Sequence, residues 1–246
     1  MLENNTKVAL VTGGSRGIGA AISLALGKEG YFVVVNYNHN VEHANNIVNK
    51  ITESGGSAIT IQGNIAESTD CISMISTIKE KLGKIDILIN NAGITRDRSF
   101  RKMSLTEWQE VINTNLSSAF NMCSLVIPDM VEQKYGRIVN ISSVIGQSGG
   151  FGQTNYAAAK AGLIGFSKSL ALETAKYGIT VNNICPGFIG TEMVGAMPEE
   201  VLKGIVAKIP VGKLGDPNDI AQGVIYLINA PYMTGQCLNI NGGLYM

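Results

Sequence analysis

The sequence predicts a doubly wound α/β fold on a mainly parallel seven-stranded sheet, and three observations carry that expectation. Short apolar runs recur seven times, helix-length amphipathic segments separate the earlier ones, and a glycine-rich turn joins the first run directly to a helical segment. The runs fall at residues 8–11, 32–35, 58–61, 85–89, 138–141, 181–184 and 237–240. All are of strand length, and most read as strands buried on both faces. Residues 20–28, 41–53 and 71–82 supply the intervening helices, so the alternation is that of βαβ crossovers and parallel pairing. No linker divides the 246 residues, which favours a single domain spanning 1–246. The regular alternation is interrupted between residues 192 and 210 by Met193, Met197 and Pro198, and a helical flap over a ligand is expected at 191–210.

Composition narrows the function. Lys and Arg total 19 and Asp and Glu total 19, a zero balance that argues against a general nucleic-acid or membrane-surface role. Cys71, Cys123, Cys185 and Cys237 are scattered and lack paired spacing, which disfavours a zinc site or a disulfide framework. Residues 1–6 are polar and carry Glu3, unlike a signal peptide, and no apolar run approaches the roughly 18 residues of a membrane span. A soluble cytoplasmic protein with reduced thiols is expected. His39 and His43 lie in a polar region after the second run, while Trp108, Phe120 and the dispersed methionines read as packing groups.

After the first strand comes Thr12-Gly13-Gly14-Ser15-Arg16-Gly17-Ile18-Gly19, followed at once by a helix. Glycines permit positive φ and close backbone approach, and free N–H groups at a helix start can hold a pyrophosphate. Alone, the motif is also compatible with a tight strand-to-helix turn that binds nothing. Here the sequence resembles the short-chain dehydrogenase/reductase family, whose first turn reads T-G-x-x-x-G-x-G. The resemblance implies a Rossmann dinucleotide site with Gly13, Ser15, Arg16, Gly17, Ile18 and Gly19 in its loop. Asn90-Asn91-Ala92-Gly93 matches the N-N-A-G element of the same family and implies Asn91, Ala92 and Gly93 beside the adenosine. After the second strand the chain reads Val35-Asn36-Tyr37-Asn38, with no carboxylate to accept a ribose 2′-OH or repel a 2′-phosphate. With Arg16 able to pair with a phosphate, NADPH is expected over NADH, and Asn36 joins the cofactor set. Arg16 as a merely solvated loop cation is the alternative. Asn64 stands where many relatives carry an aspartate beside the adenine, next to Ile65.

Tyr156-Ala157-Ala158-Ala159-Lys160 places a phenol and an ammonium four residues apart on one helical face. An adjacent ammonium favours the phenolate and eases proton exchange, but an isolated pair of this kind is usually ordinary helix surface. Ser143, thirteen residues earlier, follows the fifth run, at the strand end where parallel-sheet sites open. The family uses a Ser, Tyr-x-x-x-Lys and Asn arrangement, and the matching residues are Ser143, Tyr156, Lys160 and Asn115. Ser142 is left a structural role at the strand end. The resemblance implies hydride transfer to a carbonyl carbon, with Tyr156 as proton donor and Ser143 steadying the oxygen. It further implies that Lys160 binds the nicotinamide ribose and lowers the Tyr156 pKa, and that Asn115 holds a water linking Lys160 to solvent. Pro186, Gly187, Ile189 and Thr191 are implied beside the nicotinamide, and no metal is required.

Within the family, the likeness is strongest to the branches that reduce 3-oxoacyl thioesters. Phe100-Arg101-Lys102-Met103 and Phe151-Gly152-Gln153-Thr154-Asn155-Tyr156 look like the coenzyme A branch, and Tyr177 stands where the carrier-protein branch commonly has an Arg. The residues around Lys160 and the ending Asn241-Gly242-Gly243-Leu244-Tyr245-Met246 also resemble the carrier-protein branch. The expectation is NADPH-dependent reduction of acetoacetyl-CoA to (3R)-3-hydroxybutyryl-CoA, with the acyl-carrier-protein thioester as the alternative. Asp97, Phe151, Gln153 and Phe188, with Ser143, would line the acyl path, although each suits loop packing equally well. A homotetramer is implied by the resemblance. A different class also fits the fold, an NADPH-binding sensor or scaffold without turnover.

Overall fold

The computed structural model describes residues 6–195 and 199–246. Seven strands form one sheet in which every pairing is parallel. In chain order the elements are β1 (Val8–Val11), α1 (Gly17–Lys28), β2 (Phe32–Tyr37), α2 (Val41–Glu53), β3 (Ser57–Gln62), α3 (Ser68–Leu82) and β4 (Ile87–Asn90). They continue with α4 (Leu105–Ile112), α5 (Ser118–Glu132), β5 (Gly136–Ile141), α6 (Ile145–Ser148), α7 (Thr154–Thr174) and β6 (Ile179–Pro186). The last are α8 (Glu192–Gly195), α9 (Glu199–Val206), α10 (Pro217–Asn229) and β7 (Cys237–Ile240). The strand order is β3-β2-β1-β4-β5-β6-β7, so the winding reverses between β1 and β4, and the crevice at their C-terminal ends is where such sheets bind ligands.

Alternation within each strand builds two cores. Ala9, Val11, Val33 and Val35 face α1, α2 and α10, whereas Val8, Leu10 and Val34 face α3, α5 and α7. Because both faces are covered, the strands read as continuous apolar runs. Local signals start the helices: Asn40 accepts from His43 N at 2.9 Å to cap α2, and Ser104 with Glu107 forms a capping box at α4. Asp216 and Asp219 do the same at α10, where Pro217 fills the first position.

The end of the sheet away from the crevice is tied by a buried cation. Arg137, 7% exposed, donates from Nε to Ile228 O at 2.9 Å and from Nη1 to Gly136 O at 2.8 Å and Gly178 O at 3.0 Å. Its guanidinium lies 4.5 Å from the centroid of the Tyr135 ring. The Ile228 carbonyl belongs to the last turn of α10, where the helix dipole favours positive charge. Arg137→Leu would strand three carbonyls, and a loss of about 3 kcal/mol of stability is expected. Urea unfolding of the two proteins compares them directly; equal midpoints would refute this account of the tie.

The expected flap at 191–210 contains α8 and α9, while Met197 and Pro198 lie outside the described residues. Its far end is fastened, since Ile209 is buried and Val211 N donates to Gly242 O at 3.1 Å. No helix among the described residues is long and apolar enough to cross a membrane.

Candidate active site

The glycine turn leaves β1 and enters α1 with φ of +59° at Gly13 and +52° at Gly17, the left-handed region where a side chain is strained. A methyl on Gly19 would collide with the Gly13 carbonyl and the Asn91 amide, so only glycine lets the helix start so close to the turn. Arg16 occupies the N-cap position without a capping side-chain bond, so no side chain competes for the first-turn N–H groups of α1. The Arg16 side chain is exposed beside them. These donors suit a pyrophosphate, and Thr191, whose methyl would lie 3.3 Å from a Cβ at Gly17, closes the far side of the turn.

Thr12 and Asn91 bind the two cofactor loops together. Thr12 Oγ1 accepts from Asn91 N at 2.9 Å and Ala92 N at 3.1 Å, and Asn91 Nδ2 returns bonds to Thr12 O at 2.9 Å and Gly13 O at 3.1 Å. Asn36, at the end of β2, turns its side-chain amide inward. It is 2% exposed, its Oδ1 accepts from Gly13 N at 3.1 Å, and its Nδ2 donates to Gly63 O at 3.1 Å. Its backbone carbonyl takes Gly14 N at 2.9 Å. Asn36 is therefore a fastener of the turn, its amide turned inward by bonds that the turn's own N–H groups require. Asn64 Oδ1 accepts from Ala66 N at 3.1 Å, its own N–H binds Asp70, and Ile65 is buried behind it.

Ser143, Tyr156 and Lys160 converge at the ends of β5 and β6. Ser143 follows β5, and its Oγ accepts from Ile145 N at 3.1 Å. Tyr156 and Lys160 lie one turn apart on α7, with Lys160 Nζ 5.6 Å from the Tyr156 ring centroid. Lys160 is 4% exposed and its Nζ donates to Ile141 O at 2.7 Å, while Ser142 Oγ donates to Lys160 O at 2.9 Å, the structural part expected of Ser142. Asn115 lies in a π-helical turn, Asn113–Ser117, between α4 and α5. Its amide makes a reciprocal pair with Ile94, Oδ1 accepting from N and Nδ2 donating to O, each at 2.8 Å. Gly93 opens the space between these groups, because a methyl there would stand 3.2 Å from Asn115 Oδ1 and 3.6 Å from Lys160 Nζ.

Burial pushes the Tyr156 hydroxyl above its ordinary value, the Ser143 hydroxyl pulls it back, and the Asp97 carboxylate raises it further. Burial brings Lys160 itself down to about 8.

On the outer side, Gln153 Nε2 donates to Asp97 Oδ2 at 3.0 Å, which brings two of the expected substrate residues together beside Tyr156. Phe188 is half-buried at the end of β6, and Pro186, Gly187 and Ile189 run past the same crevice. Phe151 is 99% exposed. Asn155, which the sequence offers only as part of the segment before Tyr156, is fully buried: it accepts from Tyr156 N at 2.8 Å and donates to Arg96 O at 3.1 Å, pinning the start of α7 to the loop after β4. Thr12, the first residue of the glycine-turn motif, takes its anchoring role from its place as the polar residue closing an apolar strand.

The family model described as short chain dehydrogenase matches residues 7–201. Acetoacetyl-CoA reductase of Rhizobium meliloti is 49% identical over 243 residues, covering 98% of this chain and 99% of the relative. The 3-oxoacyl-[acyl-carrier-protein] reductase FabG of Staphylococcus aureus is 45% identical over the same length and coverage. Nodulation protein G of Azospirillum brasilense is 48% identical over 240 residues, 97% of this chain and 98% of the relative.

Proposed function

The chain belongs to the short-chain dehydrogenase family, and from that premise we propose that it reduces acetoacetyl-CoA to (3R)-3-hydroxybutyryl-CoA with NADPH. The observation that carries the reading is the meeting of Ser143, Tyr156 and Lys160 at strand ends beside an uncapped, glycine-lined helix start. When bound, the nicotinamide supplies the hydride. The chain's own residues handle the oxygen and the proton. Tyr156, held protonated by burial and Asp97, donates to the carbonyl oxygen as negative charge develops there. The Ser143 hydroxyl gives that oxygen a second hydrogen bond. Lys160, near its neutral point at about 8, supplies a proton reservoir one helical turn from Tyr156, and Asn115 holds the path by which it refills. Gly13, Ser15, Gly17, Ile18 and Gly19 hold the pyrophosphate, Arg16 the 2′-phosphate, Asn64, Ile65, Asn91, Ala92 and Gly93 the adenosine side, and Ile189 and Thr191 the carboxamide. Asp97, Gln153 and Phe188 border the acyl group.

Coenzyme A is favoured over a carrier protein because the docking Arg expected before Gly178 is replaced by Tyr177, which packs on the core. In this reading the chain acts as one catalytic domain in the cytoplasm. It assembles as a homotetramer through the exposed apolar side chains of α5 and α7, Phe120 and Leu172 among them. Turnover of acetoacetyl-CoA and of its acyl-carrier-protein thioester, compared at matched concentration with NADPH and with NADH, tests the proposal. A higher kcat/KM for the coenzyme A ester with NADPH is expected. Preference for the carrier protein would overturn the substrate, and NADPH binding without turnover of either ester would favour a sensor.

A further inference from the structure

Tyr156 stands in the first turn of α7, where backbone N–H groups lack intrahelical partners and helices fray. The chain leading into that turn is loose by composition, with Gly149 and Gly152 at φ of +74° and +77°. Gln153, at the N-cap, spends its side chain on Asp97 Oδ2 at the surface, where water competes for the bond. Lys160, one turn further on, is fastened separately by its Nζ to Ile141 O and by Ser142 Oγ to its carbonyl. The first turn is held by Asn155, which is fully buried and uses its whole amide. Its Oδ1 accepts from Tyr156 N at 2.8 Å, and its Nδ2 donates to Arg96 O at 3.1 Å and to Glu107 O at 3.3 Å. One side chain thus joins α7, the loop after β4 and α4. That loop is itself part of the site: Ile94 pairs with Asn115, and Asp97 sets its carboxylate beside Tyr156.

We propose that Asn155 is a positioning residue for the reaction, clamping the first turn of α7 to the loop after β4 and to α4 so that the Tyr156 hydroxyl stands where the proton must be delivered. The ring carries any tilt of the turn out to its hydroxyl, so a small backbone shift grows toward the proton donor. A misplacement of about 1 Å there costs on the order of a hundredfold in rate. Ser143, at the end of β5, and Lys160 keep their own anchors, so the loss is confined to Tyr156. Alanine at 155 would leave Tyr156 N and two buried carbonyls without their partner. Aspartate has the same shape and keeps the acceptor for Tyr156 N, but it sets a carboxylate oxygen against the Arg96 and Glu107 carbonyls.

The effect on turnover rests on the role given above to Tyr156, whereas the clamp itself does not, so the two fail separately. Asn155→Ala is expected to lower kcat with acetoacetyl-CoA by about thirty- to a hundredfold while the NADPH dissociation constant stays within about twofold. In a Tyr156→Phe background the same substitution should change kcat by less than about twofold, because residues that act as one unit are not additive. Hydrogen exchange of Asn155→Ala should show protection lost at the Tyr156 amide and kept from Lys160 onward. Should the alanine variant fail to fold, Asn155→Asp carries the kinetic test, with a loss of at least about tenfold expected in the native background and less than about twofold beside Tyr156→Phe. Parental kcat in a folded variant, an equal loss in both backgrounds, or unchanged exchange at the Tyr156 amide of the alanine variant would overturn the positioning role. If the parent reduces neither ester, the proposed function falls, and the exchange measurement still decides the clamp.

Discussion

Tyr156→Phe is expected to lower kcat about a thousandfold while changing the NADPH dissociation constant by less than about threefold, since a positioned general acid contributes roughly 10²–10⁴. The substitution removes one oxygen from a ring that otherwise keeps its packing on α7. The lost hydroxyl is the one whose proton the site holds on to, because burial and the Asp97 carboxylate both favour the neutral phenol. Steady-state rates with the thioester and a fluorescence titration with NADPH separate the two effects. A Phe variant with parental turnover would remove Tyr156 from the chemistry.

Lys160→Met is expected to abolish measurable turnover and yet make the unliganded protein more stable near neutral pH. The lysine is folded into a site where its pKa is about 8, against 10.5 for the free side chain, so the unfolded chain binds the proton more strongly. The charged form therefore costs folding about 3 kcal/mol at every pH below about 8. As pH rises from about 8 to 10.5 the cost shrinks, and above that window it is gone. Methionine fills similar volume without the charge, at the expense of the bond to Ile141 O, so a net gain of about 1–2 kcal/mol is expected at neutral pH. Denaturant unfolding at neutral pH and near 10.5 tests the sign. A variant less stable than the parent at neutral pH would show that the ammonium is well solvated by its neighbours.

The runs at 8–11 and 237–240 and the segment at 41–53 coincide with β1, β7 and α2, because in each the apolar pattern and the backbone pairing end together. The boundaries that moved have physical reasons. The fourth strand starts at Ile87 instead of 85 because Asp86 turns its carboxylate to Val8 N at 2.9 Å. The sixth extends from Ile179 to Pro186 because ladder pairing continues past the run on both sides, Ile179 with Gly136 of β5 and Pro186 with Ile240 of β7. Helix α1 begins at Gly17 and not at 20, since the glycines that discourage a helix are its first turn. Ser143, Tyr156, Lys160 and Gly93 were legible through spacing and resemblance, and the structure brings them to one crevice. The inward amide of Asn36 and the turned-away ammonium of Lys160 were not, because both depend on which carbonyl lies within reach after folding.

The π turn at Asn113–Ser117 bears on how this site could have arisen. A π turn takes up one surplus residue without rotating the helical faces that flank it, so the buried stripe of Met122, Val126 and Met130 on α5 keeps its phase. Asn115 thus owes its aim at Ile94 to chain length as much as to residue type. A shortened lineage could keep every core residue and the asparagine itself and still lose the site, which makes single-residue gaps between α4 and α5 a sharper marker of activity than substitutions there.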